Sequence, residues 1–407
     1  MQRVELLYYA KKAFALFPGL VSPVSAPVFR EHYALRLQRR SRYRACVDIL
    51  VGTLFHLWIP LRARAVQKKF GKDGEWRRRA TAIAHARFVD PNDLALFRIE
   101  RAAQLDNYIR RFEDAAFNKL VNPQGWSRRC VLVDKRLFYE RCVAHGIRHP
   151  AVIAILNGDR LEKFSPAAGH ALIVKPSHGE GGRGVARLPA AMAEQRDAQL
   201  FRAALLSLVS RREGAWIVQV AVDNHPALRE YAMDALCTAR MTTMINERGQ
   251  PELVSVVLRM ASRRGPVIDN MKAGGLIMPV NPASGRVGIA CMGYGGGDFT
   301  HHPVSGAPLR DLVLPDWAEA VALVCTAHSR AFSEYTIIGW DVAFAPDGPV
   351  IIEGNSKPGV LMPQRSSRCG LASQRYGEIL AWQLAAHTPA FGVKGGKGRQ
   401  LESQADI

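Results

Sequence analysis

The sequence predicts an α+β fold preceded by a basic, mainly helical N-terminal region, and three observations carry that reading. The segment Ile337 to Val360 holds two β-rich runs on either side of Pro346-Asp347-Gly348-Pro349, a turn-forming tetrapeptide, and so reads as a hairpin. Another β-rich run, Ala171 to Lys175, opens into a loop dense in glycine (Gly179, Gly181, Gly182, Gly184) before a further apolar segment. Upstream, residues 1–130 carry 25 Lys and Arg against 11 Asp and Glu, so +14 of the net charge of +19 falls in the first third.

A length of 407 residues with 48% apolar and 22% charged side chains suits a soluble chain of two or three domains. Cations this unevenly spread call for an anionic neighbour. Since no nucleic-acid motif accompanies Arg77-Arg78-Arg79 or the rest of the basic third, a solvated basic face is the preferred reading over a nucleic-acid site, with a membrane surface or an acidic polymer also open. Seven scattered cysteines without a CxxC pair argue against a disulfide framework and a zinc site, and fit a reducing cytoplasm. The apolar stretch up to Leu20 is broken by Lys11-Lys12 and lacks a cleavage pattern, so a cytoplasmic chain is expected, with the inner face of the membrane as a second placement.

Taken in order, Ala45 to Leu61 is the most apolar run, but Asp48, His56 and Pro60 leave it short of a membrane span. A buried helix of a small helical domain is the preferred reading; basic residues on both sides (Arg39, Arg40, Arg42 and Arg44 before; Arg62, Arg64, Lys68 and Lys69 after), with Trp58 near the end, make an in-plane interfacial helix the alternative. Leu94, Phe97, Leu105, Ile109, Phe112 and Phe117 recur at helical spacing, and Asn122-Pro123-Gln124-Gly125 then breaks the pattern. That break divides an N-terminal region, 1–122, from a second domain, 123–390, with 391–407 as a flexible tail.

Beyond the break, Val131-Leu132-Val133 leads as a strand into Asp134-Lys135, and Arg136 to His145 reads as a helix closed by Gly146. Lys175 at a strand end and the following glycines could turn a point charge and successive N–H groups toward one anion, although no Walker motif is present. Glu194 to Arg212 keeps helical spacing, while Trp216 to Val222 is a buried strand in which Gln219 is either a satisfied core amide or a contact to a nucleotide edge. Strands over Tyr231 to Ile245 and Glu252 to Met260 carry Arg240 and Arg259, and an arginine inside an apolar strand needs an anion, either substrate or structural carboxylate. The turn Asp269 to Gly275 precedes a strand over Leu276 to Val280; Gly293 to Gly297 and Thr300 to Pro303 read as loop, with His301 and His302 exposed. Asp316 is placed to cap a helix from Trp317 to Tyr335, and a last helix covers Arg375 to Ala386.

Asp341 lies on the first strand of the hairpin, with Glu353 and Asn355 two apart on the second, so the last two share a face. Asp341 joins them if the connection has three residues, whereas a two-residue Asp347-Gly348 turn would separate them. Inward acids cost too much to be buried unpaired, and two carboxylates with an amide oxygen are hard ligands suited to Mg²⁺ carrying nucleotide phosphates. An edge hairpin with its acids in solvent is the alternative.

The succession of Lys135, Lys175 with its glycine loop, Gln219, two arginine-bearing strands, Asn270 before Gly274-Gly275, and then Asp341 with Glu353 and Asn355 resembles the ATP-grasp proteins. More narrowly, C-T-A-R-M-T-T, D-N-M-K-A-G-G, H-H-P and I-I-E-G-N-S-K-P-G resemble the sugar-transfer-associated ATP-grasp group, relatives of the alpha-L-glutamate ligases, over roughly Val89 to Ala386. The resemblance implies two α+β subdomains clamping ATP. It implies Lys135 and Lys175 on the phosphates, the loop with Gly179, Gly181 and Gly182 closing over them, and Gln219 with the backbone of Val220 to Val222 against adenine. Asp223 or His225 stands nearest the place of the ribose acid, Asn270 joins the nucleotide contacts, and Asp341, Glu353 and Asn355 hold one or two Mg²⁺ ions. Many members carry Glu where this chain has Gln219. The implied reaction is carboxylate–amine ligation through an acyl phosphate, with Arg240, Arg259 and Lys272 stabilising charge on the transferring group, on a cell-envelope or polysaccharide-related substrate. Transfer to a hydroxyl, as in ATP-grasp kinases, is one alternative; a membrane- or polymer-binding scaffold with an inactive nucleotide site is another.

Overall fold

Two antiparallel sheets form the frame of the molecule. A computed structural model describes residues 26–387 apart from 128, 168, 180–181, 183, 210–213, 266–273, 294–295 and 310–311. The expectations placed on Gly181, Asn270, Lys272 and the tail from 391 therefore lie outside the described residues. Strands β1 (Val152–Asn157), β2 (Arg160–Phe164), β3 (Leu172–Pro176), β4 (Ala186–Arg187) and β5 (Ala215–Val220) make a five-stranded sheet in the order β2-β1-β5-β3-β4. Strands β6 (Thr238–Ile245), β7 (Pro251–Met260), β8 (Leu276–Pro279), β9 (Ala290–Met292), β10 (Asp298–Phe299), β11 (Ile337–Ala345) and β12 (Gly348–Asn355) make a seven-stranded one, β10-β9-β8-β7-β6-β11-β12. The helix Ala198–Leu208 lays Phe201 and Leu205 on the smaller sheet. On the larger, the helix Trp317–Ala331 buries Val324 and Ala327 beside Trp340 and Phe344.

The N-terminal region is helical as its spacing predicts, with helices Arg42–Lys69, Gly74–Arg87, Pro91–Phe97 and Arg111–Val121. The first of these settles neither sequence alternative alone. Asp48, Phe55, Ile59 and Val66 are buried on one face, while Leu50, Leu54, Leu57 and Leu61 stand exposed on the other. By length and composition it is long and apolar enough to cross a membrane, which the shorter run Ala45 to Leu61 did not suggest.

Several local expectations fail for identifiable reasons. Val131-Leu132-Val133 is a turn, because the chain must double back for the N-cap Asp134 to accept from the Arg136 N–H at 2.9 Å. Arg229–Ala232 is a helical turn, so the strand bearing Arg240 starts only at Thr238. The long loop read from Gly293 to Pro303 is bounded by a short strand at 290–292 and interrupted by another at 298–299. His302 is buried: its Nε2 meets the Ala261 carbonyl at 2.8 Å, and Nδ1 faces the Val304 and Ser305 N–H groups. Asp316 precedes its helix in a left-handed conformation and caps nothing with its side chain.

Candidate functional site

The hairpin β11–β12 solves its parity problem with a bulge. Its connection has two residues, Pro346 and Asp347, pairing Ala345 with Gly348. That register alone would set Asp341 opposite Ile352 and turn Glu353 to the other face. An irregularity between Asp341 and Val342 admits Ile352 as an extra residue, so Asp341 faces Glu353 and Gly339 faces Asn355. Gly348 takes the positive φ of +110° that the turn needs, and Arg148 clamps Asp347 through its carbonyl (2.8 Å) and carboxylate (2.9 Å). Between the two ligand-bearing positions Gly354 presses on the core, where a Cβ would come within 2.8 Å of Leu132 and 3.0 Å of Phe138. Gly339 makes room in the same way for the Arg240 stem.

Arg240, Asp341 and Glu353 are lateral neighbours on three adjacent strands, Arg240 opposite Asp341 and Asp341 opposite Glu353. Arg240 reaches Asp341 with Nε at 2.5 Å and a second nitrogen at 3.2 Å, and Arg259 adds a contact at 3.0 Å. The anion that both strand arginines require is thus the Asp341 carboxylate. Burial disfavours the charged form of Asp341, but Arg240 and then Arg259 outweigh it and hold the carboxyl well below the usual carboxylate range. Glu353 moves the other way: burial and the neighbouring Asp341 charge raise it, only partly offset by Lys135 and Lys175. Two acids with opposed shifts across one strand pair leave Glu353 as the group short of positive charge. Asn355 turns its Nδ2 toward the Gly339 carbonyl at 3.4 Å, which leaves the amide oxygen free to ligate. Among the described residues no group of three or more His, Cys, Asp and Glu side chains gathers. A cation here would have two carboxylates and an amide oxygen, a donor set that fits Mg²⁺.

The smaller sheet supplies the facing wall. Lys175, on β3, is buried, and burial brings its pKa down to about 8, although Glu353 and Asp341 act to raise it. On the neighbouring strand Gln219 is buried with its Oε1 unpartnered, pairing across with Ile173. A buried acceptor without a donor is uncommon in a native interior. Lys135 opens the helix Lys135–Ala144 and donates its Nζ to the Gly179 carbonyl at 2.8 Å, tying the glycine loop to the helix. Gly182 and Gly184, at φ +73° and +77°, hold conformations that L side chains avoid.

A cleft of about 890 Å³ separates the walls. It is lined by Lys135, Lys175, Gly179 and Gly182 on one side and by Arg240, Arg259, Asp341, Glu353 and Asn355 on the other, with Gln219, Val220, Val222 and Asp223 at the crossing between the sheets. Every site residue expected from the sequence that lies among the described residues is therefore brought to one cavity; His225, the second candidate for the ribose, caps the following turn instead by accepting from Ala227 N–H at 3.2 Å. Sequence reasoning missed Ile352, Leu361, Met362 and Lys357, which line the same cleft. The doubled Ile351-Ile352 breaks strand alternation and is the one signal that could have marked the bulge. Lys357 sits 4.1 Å from the Trp126 ring centroid, a contact between distant segments that spacing cannot reveal. Met233 holds a strained φ of +55° in the same wall.

Solved structures of similar fold include D-cycloserine synthetase DcsG, 14% identical over 64% of this chain and 71% of that one at a TM-score of 0.37. The D-alanyl-alanine synthetase A of Vibrio cholerae is 12% identical, covering 64% and 66% at 0.38. The biotin carboxylase domain of Hydrogenobacter thermophilus 2-oxoglutarate carboxylase is 14% identical, covering 66% and 47% at 0.38. Comparison with curated proteins gives no match. A family model described as sugar-transfer associated ATP-grasp matches residues 113–376.

Proposed function

Since this chain belongs to the sugar-transfer associated ATP-grasp family, we propose that it is an ATP- and Mg²⁺-dependent carboxylate–amine ligase acting on a cell-envelope or polysaccharide-related acid. The observation that carries the reading is one cleft in which Asp341, Glu353 and Asn355 face two lysines, while the buried Gln219 Oε1 has no donor. Adenine has an exocyclic amine to offer that oxygen. Lys175 and Lys135 would lie along the phosphates, beneath the loop that includes Gly179 and Gly182. Asp341, Glu353 and Asn355 would hold the metal, which supplies charge neutralisation at the phosphate oxygens. A carboxylate oxygen of the acid attacks the terminal phosphorus of ATP, the bridging P–O bond breaks, and ADP leaves. The amine nitrogen then attacks the acyl carbon, releasing inorganic phosphate and a proton and leaving an amide. The chain's own residues position and neutralise; no serine, cysteine or histidine nucleophile is required. Arg240 and Arg259 hold Asp341 ionised for the metal and present their remaining N–H groups toward the transferring group, a role expected also of Lys272.

Titration calorimetry with ATP, in the presence and absence of Mg²⁺, tests the site, and mass spectrometry of products from a panel of acids and amines tests the reaction. Glu353→Gln is expected to weaken Mg²⁺-dependent ATP binding about tenfold, close to 1.4 kcal/mol, while binding without the metal changes little. Wild-type protein that binds no nucleotide would sink the reading, and ADP accompanied by a phosphoester rather than an amide would replace the ligase with a kinase.

A further inference from the structure

The helix Arg42–Lys69 carries a second surface, remote in chemistry from the cleft and independent of the reading above. Tyr43, Leu50, Leu54, Leu57 and Leu61 recur at spacings of seven, four, three and four, so they fall on one line along the helix. They are among the most exposed large apolar side chains of the described residues: Tyr43 is 77%, Leu57 69% and Leu61 70% accessible. From Tyr43 to Leu61 the stripe runs about 27 Å at 1.5 Å per residue. A stripe of this length is not an ordinary scattering of surface leucines.

The opposite face fixes how the helix can be used. Phe55 stacks on Phe88 with centroids 4.7 Å apart, Arg62 reaches the buried Asp90 at 3.0 Å, and Ile59 and Val66 are buried among the N-terminal helices. Asp48 on that face pairs with Arg40 at 3.6 Å. A helix clamped in this way along one side cannot cross a bilayer without leaving its core, but it can lie flat with the other side down.

Charge selects the occupant. Arg39, Arg40, Arg42 and Arg44 stand at the start of the helix and Arg64, Lys68 and Lys69 at its end, with Arg64 and Lys68 continuing the line of the stripe. A second copy laid along this helix would set cations against cations whichever way it ran, and Pro60 would interrupt the seam. An anionic surface gains at both ends. We propose that this helix docks the protein in the plane of an anionic lipid bilayer, with Leu50, Leu54, Leu57 and Leu61 entering the interface and the flanking arginines and lysines meeting lipid phosphates.

Flotation of the full chain with vesicles of phosphatidylcholine alone, or with a third of phosphatidylglycerol, tests this. Binding is expected to the anionic vesicles, at least tenfold weaker to the neutral ones, and weaker again as salt screens the charges. Leu54→Gln with Leu57→Gln and Leu61→Gln, all on the exposed side, should cut partitioning at least tenfold while leaving ATP binding unchanged. Leu57→Gln alone, about threefold down, serves if the triple variant does not fold. Arg64→Glu with Lys68→Glu should remove most of the preference for anionic lipid. The proposal fails if the wild type does not float with anionic vesicles. It fails equally if the leucine variants bind as well as the wild type. A wild-type dimer that the leucine variants dissociate would assign the stripe to a second copy instead.

Discussion

The two walls of the cleft are built on opposite plans. On the seven-stranded sheet the charges around Asp341 already satisfy one another, since Arg240 and Arg259 hold it and Arg259 also donates to the Thr238 hydroxyl at 3.1 Å, while Glu353 beside it stays short of positive charge. On the five-stranded sheet, Lys175 is buried against the pull of its own desolvation, and the Gln219 Oε1 has no donor. Around Asp341 the first wall is finished as protein and must share its partners with a ligand. The second is finished only when something enters. Damage to Asp341 on the first should therefore cost stability as well as function, whereas damage to the second should cost function and return stability.

The largest expected effect is at Asp341. Asp341→Asn keeps the shape but leaves two half-buried guanidinium groups without their buried counter-charge, which costs about 3–5 kcal/mol when one partner of a buried pair is removed. Urea unfolding at neutral pH measures it. The sign with pH follows from the depressed carboxyl: its contribution is fully present above the ordinary Asp pKa of about 4 and is lost as pH falls through the lower folded value. The gap between wild type and variant should accordingly narrow only in strong acid. Glu353 is the internal control, since its carboxyl is raised and its ionised form is disfavoured in the fold. Glu353→Gln should leave stability at pH 7 unchanged or slightly higher. Equal losses in the two variants would erase the contrast between the two acids of that wall, the satisfied Asp341 and the Glu353 short of positive charge.

How much of this was legible in the sequence follows the same division. Asp341, Glu353 and Asn355 could be named because acids in an apolar hairpin stand out, and Glu353 and Asn355 share a face by spacing alone. Whether Asp341 joined them could not be read, because a two-residue turn and a bulge at Ile352 cancel in register, and a bulge depends on pairing rather than on local pattern. Arg240 and Arg259 were recognisable as residues needing an anion, but only the assembled sheet reveals that the anion is Asp341. The helical turn Arg229–Ala232 overlaps only the first two residues of the run read as strand, and Glu230, Ala232 and Asp234, which strands disfavour, are the local sign that the strand begins later. His302 looked like a loop histidine because burial by the distant Ala261 carbonyl leaves no local trace. The long N-terminal helix kept both of its readings open because each describes one of its faces.

A smaller effect of opposite sign is expected at Lys175. Its pKa falls to about 8, so between there and about 10.4 the unfolded chain binds the proton that the folded chain has released. Stability should rise with pH through that window. Lys175→Met removes the buried ammonium and should stabilise the ligand-free protein by about 1–3 kcal/mol at pH 7, a gain that shrinks as pH rises from about 8 to about 10.4 and is gone above that, where the wild-type lysine is neutral in both states. The same change should cost most of the ATP affinity. A variant less stable than wild type at pH 7 would mean that the attraction of Glu353 and Asp341 for the ammonium outweighs its desolvation.

Gln219 gives a smaller effect on stability than Asp341 or Lys175 and the sharpest on selectivity. An unmet buried acceptor costs about 1–3 kcal/mol of desolvation, and Gln219→Leu removes it together with an amide N–H₂, so a net gain of about 1 kcal/mol is expected in urea unfolding. If the free Oε1 is there to accept from the exocyclic amine of adenine, wild-type protein should prefer ATP to purine riboside triphosphate, which lacks that amine, by about tenfold, the worth of one hydrogen bond to a matched donor. In Gln219→Leu the two nucleotides should bind alike, because neither has a partner to lose. Retention of the full preference by the variant would move adenine recognition to the backbone of Val220 to Val222. The unmet oxygen would then be a strain in the folded wall, carried for some reason other than the base.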